Sequence, residues 1–374
     1  MDYSYLDSYI WYPHNMSTPS KQLGVLASRT SYTLQEFPVP EPGPGEVLIK
    51  NVAVASNPKD YKLPKDVPDY AFIEGNDVAG YIVKVGEGVT EYKGGERVAA
   101  FTIMRTKDNK YGGYAQYSVS PASTTFPIPG NVSFEEASTL PLAVMTAAIG
   151  LFVTLGLPEP PAPDASEVFA PDNGKGLIVY GASSSVGAYV VQFAKRAGFY
   201  VVGVAGASAD YVKELGADAV VDYRAHKEDG SLEAALISAL NGRPTSAAYD
   251  AIAEHGSTLS LANTLAKTSP DGKGFVTHIL PFNELEKLPK GIETKLTYVG
   301  SAHGVDEAFA ERFYRQISKY LESSSTKPFQ TNRVKLLPNG LAGVKDGIEL
   351  LKSGKVHGEK LVYRIAETPG VSRV

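Results

Sequence analysis

Apolar and polar positions alternate in short bursts over the first third of the chain. QLGVLA (22–27), EVLIKNVAVAS (46–56), DVAGYIVKVG (77–86), ERVAAF (96–101) and YAQYSVS (114–120) read as β-strands, punctuated by Pro42-Gly43-Pro44-Gly45 and Gly94-Gly95. Residues from Lys21 to about Pro141 therefore predict a β-rich domain of barrel type. Helical spacing starts at Phe134-Glu135-Glu136 and strengthens through Leu142–Ala148. From residue 176 strands alternate with helices: LIVY (177–180), YVVGV (200–204), AYDAIA (248–253), GFVTHIL (274–280) and TYVGS (297–301) as strands, and DEAFAERFYRQISKYLES (306–323) as a long amphipathic helix. RVKLL, the helix GVKDGIELLKSG and a last strand GEKLVYRI return to the β-rich body. The expected fold class is α/β, a doubly wound parallel sheet (144–324) inserted into a discontinuous β-rich domain (23–143 and 325–374), with a cleft between them. Residues 1–22 read as a tyrosine-rich extension in which Met16 is an alternative start, and 158–176 as a Pro-rich surface loop.

The segment 176–198, GLIVYGASSSVGAYVVQFAKRAG, carries the first chemical signal. A buried strand leads into the small-residue turn Gly181-Ala182-Ser183-Ser184-Ser185-Val186-Gly187, and a helix opens there and ends at Gly198. Backbone N–H groups and a helix N-terminus suit a pyrophosphate, so this reads as the first βαβ unit of a dinucleotide fold. Ser184 and Ser185 stand where the usual glycine fingerprint has its middle glycine, adding hydroxyl donors. The same strand–turn–helix also occurs in α/β proteins that bind no nucleotide. Where the second strand ends, Ala205-Gly206, no acid awaits the ribose hydroxyls of NAD. Ser208, Lys213 and Tyr223 are available instead and suit a 2′-phosphate, which favours NADPH; the alternative makes Lys213 a solvated helix lysine.

Composition narrows the chemistry. No cysteine is present, which excludes disulfides, thiolate catalysis and cysteine-ligated zinc or iron–sulfur centres. The six histidines are scattered without paired helical spacing, so no metal site is expected. A net charge of −5 without a basic cluster argues against a nucleic-acid partner. No apolar run is expected to span a membrane, and neither terminus reads as a targeting signal, so a cytoplasmic location is expected.

Several blocks in order carry a resemblance: EPGPGEVLI (41–49), Asn57-Pro58-Lys59-Asp60, GNDVAGYIVKVG (75–86), GYAQY (113–117), ASTLP (137–141) and GEKLV (358–362). Over about 350 of its residues the chain resembles the medium-chain dehydrogenase/reductase superfamily, whose fold joins a GroES-like barrel to a Rossmann domain. Zinc alcohol dehydrogenases of that group have His-Glu after the glycine matching Gly75; Asn76-Asp77 here, and the missing cysteine-rich loop, place the resemblance in the zinc-free branch. Within it the chain looks most like fungal trans-acting enoyl reductases of the lovastatin type, with quinone oxidoreductases as a further likeness. The resemblance implies that Asn57, Pro58, Lys59, Asp60 and Thr146 approach the nicotinamide end, with Lys62 at the mouth. It implies that Ser183–Val186 hold the phosphates, and that Ala205, Gly206, Ala207 and Ser208 meet the 2′-phosphate beside Lys213 and Tyr223. Ile279, Leu280, Val356 and His357 would close over the cofactor, and Val299, Gly300, Ser301, Ala302, His303 and Gly304 would line the substrate side. Relatives often carry Ser or Thr at Ala205 and Asn at Ser208, so fewer phosphate contacts are expected here.

The expected chemistry is hydride transfer from NADPH to the β-carbon of an activated alkene, followed by protonation of the α-carbon. Lys62 or Tyr61 is a candidate donor or relay, alongside water; in the alternative, Lys62 is solvated and Tyr61 is packed in the core. Three functions stay open. The first is a trans-acting enoyl reductase on a polyketide-type thioester, with a polyketide synthase or carrier protein as partner. The second is a quinone or small-enone reductase, and the third a non-catalytic NADPH-binding partner protein.

Overall fold

The computed structural model describes residues 18–163, 169–322 and 328–371. Met16, and most of the extension read at 1–22, lie outside them. Two sheets organise what is described. The first is six-stranded and wholly parallel, in the spatial order Ala219–Asp222, Tyr200–Ala205, Gly176–Tyr180, Ala247–Asp250, Gly274–His278 and Ile292–Leu296. Leu177 and Val179 pack with Phe193 and Phe313 on one face, while Ile178, Val202 and Val204 pack with Leu261 and Leu265 on the other. Burial on both faces explains why the central strands are apolar runs. The winding reverses between Gly176–Tyr180 and Ala247–Asp250, and a doubly wound sheet opens its ligand crevice at such a switch point.

The second sheet is seven-stranded and curls into the β-rich body. Glu46–Ala55 lies at its centre, antiparallel to Asp77–Val85, Tyr117–Pro121 and Lys360–Arg364. Val362 faces Ala55 in register, so the end of the chain completes a sheet begun by its first third. A smaller sheet of Lys21–Ser28, Tyr32–Pro38 and Ala71–Ile73 flanks it.

Two expectations are corrected. TYVGS is not a strand: the edge strand is Ile292–Leu296, and Val299–His303 forms a 3-10 turn. Glu293 and Lys295 hid that strand by giving it the charged, one-sided pattern of a protected sheet edge. Pro58 starts a helix over Lys59–Asp66. Finally, Phe134–Thr154 is long and apolar enough to cross a membrane by length and composition, with 89% of its most apolar window buried in the protein. Its second half packs between the two sheets, which is why it is apolar all round.

Candidate active site

A cleft of about 790 Å³ opens at the carboxyl ends of the parallel strands. Gly181, Ser183 and Ser184 form one wall; Ala205–Ser208 with Tyr223 and Arg224 form the second; Ile252, Glu254, His255 and Val356–Gly358 form the third.

The first wall is built to leave donors free. Gly181 turns at φ +70°, a region costly for any residue with a Cβ. The Ser184 hydroxyl accepts the N–H of Gly187 at 3.0 Å and caps the helix Ser185–Arg196. Helix geometry leaves the first-turn N–H groups of Ser185 and Val186 without intrahelical acceptors. A Cβ on Gly187 would overlap the Gly181 carbonyl oxygen, so glycine there is a packing requirement. Small residues, unspent N–H groups and an adjoining cleft fit a dinucleotide's phosphates.

The second wall holds a residue that sequence reasoning missed. Tyr223 and Arg224 lie over Gly206, where a Cβ would come within 3.1 and 3.3 Å of them. Asp222 fixes the Arg224 guanidinium through Nε at 2.9 Å and Nη2 at 2.7 Å, and these contacts pull the Asp222 carboxyl down to about 2. Lys213 is not on this wall; it is 63% exposed and 3.9 Å from Asp210. Its helix, Ala209–Glu214, turns it away, whereas Arg224 follows directly on the adjacent strand. Proximity in sequence to Tyr223 was the available signal.

The third wall is braced by Asp250, a fully buried carboxylate at the end of its strand. It accepts N–H groups of Ile252 (3.1 Å) and Ala253 (2.8 Å) and hydroxyls of Ser257 (2.6 Å) and Thr258 (2.7 Å). These contacts hold a loop in which Ala253, His255 and Gly256 all have positive φ. Sequence gave no sign of Asp250's role, because its partners follow it in a loop without a motif. Glu254 on this loop accepts Lys62 Nζ at 2.9 Å, bridging to the β-rich body. Gly358 abuts Ser208, where a Cβ would come within 3.0 Å of Oγ. Val356 and His357 line the same cleft as the second wall.

Ile279 and Leu280 lie outside the lining. The Leu280 carbonyl accepts His278 Nδ1 at 2.7 Å, and burial lowers the His278 pKa.

The Asn57–Asp60 turn is engaged within the protein. Asn57 donates Nδ2 to Asp77 (2.7 Å) and accepts from Lys360 (2.6 Å), while its N–H reaches Asp60 (2.8 Å). Lys59 pairs with Asp60 (2.9 Å) and Glu74 (2.5 Å); burial opposes its charge, yet these two carboxylates hold its pKa above the ordinary lysine value. Tyr114 donates to Asp60, and burial, reinforced by that carboxylate, pushes the phenol's pKa well up. Asn57, Pro58, Lys59 and Asp60 do not line the described cleft, and Pro58 starts the helix that carries Lys59, Asp60 and Lys62. Tyr61 packs against the β-rich core and does not line the cleft. Thr146 is buried, donates Oγ1 to the Leu142 carbonyl (2.7 Å), and its own carbonyl accepts the Tyr249 hydroxyl (2.8 Å).

The 299–304 segment does not line the described cleft. Val299 and Ala302 are core residues, and His303 Nε2 bonds the Phe101 carbonyl at 3.0 Å. Ser301 donates to the Tyr298 carbonyl, Gly300 abuts the Tyr298 ring, and Gly304 is exposed.

Comparison with known proteins bears on the family and the fold. The profile "Alcohol dehydrogenase GroES-like domain" matches residues 43–130, and "Zinc-binding dehydrogenase" matches residues 185–319. The chain is 34% identical to the trans-enoyl reductase fsr4 of Gibberella fujikuroi over 78% of its own length and 84% of the relative's. It is 31% identical to the trans-enoyl reductase resD of Aspergillus sclerotiorum, covering 89% and 96%. Among solved structures, mycobacterial Rv1454c complexed with NADPH superposes with TM-score 0.71 at 22% identity, over 92% of this chain and 99% of that one, a likeness of fold.

Proposed function

Because the chain belongs to the trans-enoyl reductase family of the medium-chain dehydrogenases/reductases, we propose that it is a zinc-independent, NADPH-dependent enoyl reductase acting on a polyketide-type thioester. Its partner in this reading is a polyketide synthase or its carrier protein, and its place of work is the cytosol, where a cysteine-free chain needs no oxidant. The observation that carries the reading is that Gly181, Ser183 and Ser184, the Ala205–Ser208 wall with Arg224, and Val356–Gly358 all face the same cleft.

When bound, NADPH supplies a hydride for the β-carbon of a conjugated alkene. The chain's own residues bind and orient it. Ser183, Ser184 and the first turn of the helix Ser185–Arg196 hold the phosphates. Arg224, with Ser208 and Tyr223, takes the 2′-phosphate, since an aligned guanidinium matches a phosphate's paired oxygens. Thr146 keeps its hydroxyl lone pairs free for the ribose or nicotinamide amide, because its proton goes to Leu142. Lys62 and Glu254 bridge the two halves of the molecule at the mouth and narrow it without sealing it. Lys62 is committed to that bridge and Tyr61 to the β-rich core, so the proton for the α-carbon comes from solvent.

The test is NADPH binding, then NADPH oxidation with an enoyl thioester, a quinone and a small enone. Turnover at least tenfold better with the thioester is expected. Turnover confined to quinones or small enones overturns the substrate assignment. Binding without turnover on any acceptor makes the chain a non-catalytic partner, and absence of binding overturns the cofactor.

A further inference from the structure

Four segments of the chain meet at one buried carboxylate. Asp77 accepts Lys360 Nζ at 2.7 Å and Asn57 Nδ2 at 2.7 Å through Oδ2, and the Leu142 N–H at 2.6 Å through Oδ1. Lys360 closes a triangle by donating to Asn57 Oδ1 at 2.6 Å. The side chains of Lys360 and Asp77 are 1% and 0% exposed.

Burying two opposite charges costs several kcal/mol per ion, and a well-packed apolar pair often serves a fold equally well. Stability therefore does not explain the pair; directionality does. Leu142 lies in the first turn of the helix Pro141–Ala148, where its N–H has no intrahelical acceptor and a carboxylate complements the helix dipole. That helix carries Thr146. The Asn57 turn leads to Lys62, and Lys360 stands two residues after the cleft-lining Gly358. A hydrophobic contact would let these three pieces slide; four short polar bonds fix their separations.

We propose that Asp77 and Lys360 are positioning residues that hold the Asn57–Lys62 turn and the Thr146 helix in register around the nicotinamide end. The inference rests on the function proposed above. None of these four hydrogen bonds reaches Ser208, Tyr223 or Arg224, to which recognition of the adenosine 2′-phosphate is left.

The double variant D77L/K360M removes both charges together, so neither is stranded. Affinities for NADPH and for 2′,5′-ADP, which lacks the nicotinamide end, are compared by titration, alongside kcat. NADPH binding is expected to weaken about tenfold and kcat to fall at least tenfold, with 2′,5′-ADP binding within about twofold of the unsubstituted chain, since misplacement by ~1 Å suffices for such losses. If D77L/K360M does not fold, D77N/K360M, whose amide still accepts Leu142, is read by the same ratio, expected to shift about threefold. An unchanged NADPH to 2′,5′-ADP ratio in the folded variant overturns the proposal. So does failure of both variants to fold, which makes the pair a requirement of the fold. Failure of the unsubstituted chain to bind NADPH defeats the proposed function instead, before any variant is compared.

Discussion

Lys62 and Glu254 join the two halves of the molecule across the cleft, Nζ to Oε1 at 2.9 Å. Lys62 comes from the helix after the Asn57 turn, and Glu254 from the loop that Asp250 braces. A cation committed to such a bridge is a poor proton donor but narrows the mouth.

The first prediction separates those roles. At 31% and 47% exposure the pair is worth only about 0–1 kcal/mol to the fold, so Lys62→Met and Glu254→Gln should melt near the parent. Each should weaken NADPH binding roughly two- to tenfold, and the double variant should be no worse than either single one, as expected when both act through one contact. kcat should fall less than about tenfold in each. A loss of ~100-fold or more in K62M that E254Q does not share would return Lys62 to the chemistry.

Cofactor choice supplies the second prediction. Arg224 is held by Asp222 beside Gly206, while Lys213 points to solvent. A charge-assisted bond contributes about 1.5–3 kcal/mol, so Arg224→Ala should cut the NADPH over NADH preference roughly 10- to 100-fold in fluorescence titrations. Lys213→Ala should change it less than about threefold. The reverse ranking would show that the 2′-phosphate lies on the Lys213 side.

These two residues mark what the sequence could convey. The strand Gly176–Tyr180, its glycine turn and the following helix were legible because their apolar period and small residues are local signals. The strand Lys360–Arg364, which pairs with Glu46–Ala55, was legible from the apolar run Leu361-Val362-Tyr363. Contacts between distant segments were not. Nothing near Lys62 names Glu254, and nothing near Asp77 names Lys360, 283 residues away. Val299–Gly304 shows the same dependence on distant contacts, because no local pattern in it reveals a 3-10 turn whose His303 bonds the Phe101 carbonyl.

A third prediction concerns the phosphate turn. Gly187→Ala would drive a methyl into the Gly181 carbonyl oxygen, which is backbone and cannot swing aside. The turn and helix must separate, so NADPH and 2′,5′-ADP binding should both fall by at least tenfold, with a stability loss of about 1–3 kcal/mol in urea unfolding. Binding of both within twofold of the parent would mean that the phosphates sit elsewhere.

The last prediction is a pH dependence with a definite sign. His303 Nε2 lies 3.0 Å from the Phe101 carbonyl and 3.3 Å from Thr124 Oγ1. A carbonyl only accepts, so Nε2 carries the proton; Nδ1 is buried with no partner among the described residues. Burial lowers the His303 pKa below 6.5, against opposing contributions from the Phe101 carbonyl and Glu307. The unfolded chain therefore binds the more protons as pH falls through that value. The neutral ring's contribution is complete above about pH 6.5 and is lost progressively below it, at up to about 1.4 kcal/mol per pH unit until the folded pKa is reached. His278, lowered by burial as well, adds in the same direction. Urea unfolding at about pH 7.5 and pH 5.5 should show the parent losing more stability on acidification than His303→Gln, whose amide can still donate to Phe101. Equal losses in the two chains would mean that the ring takes up its second proton in the folded state as easily as in water.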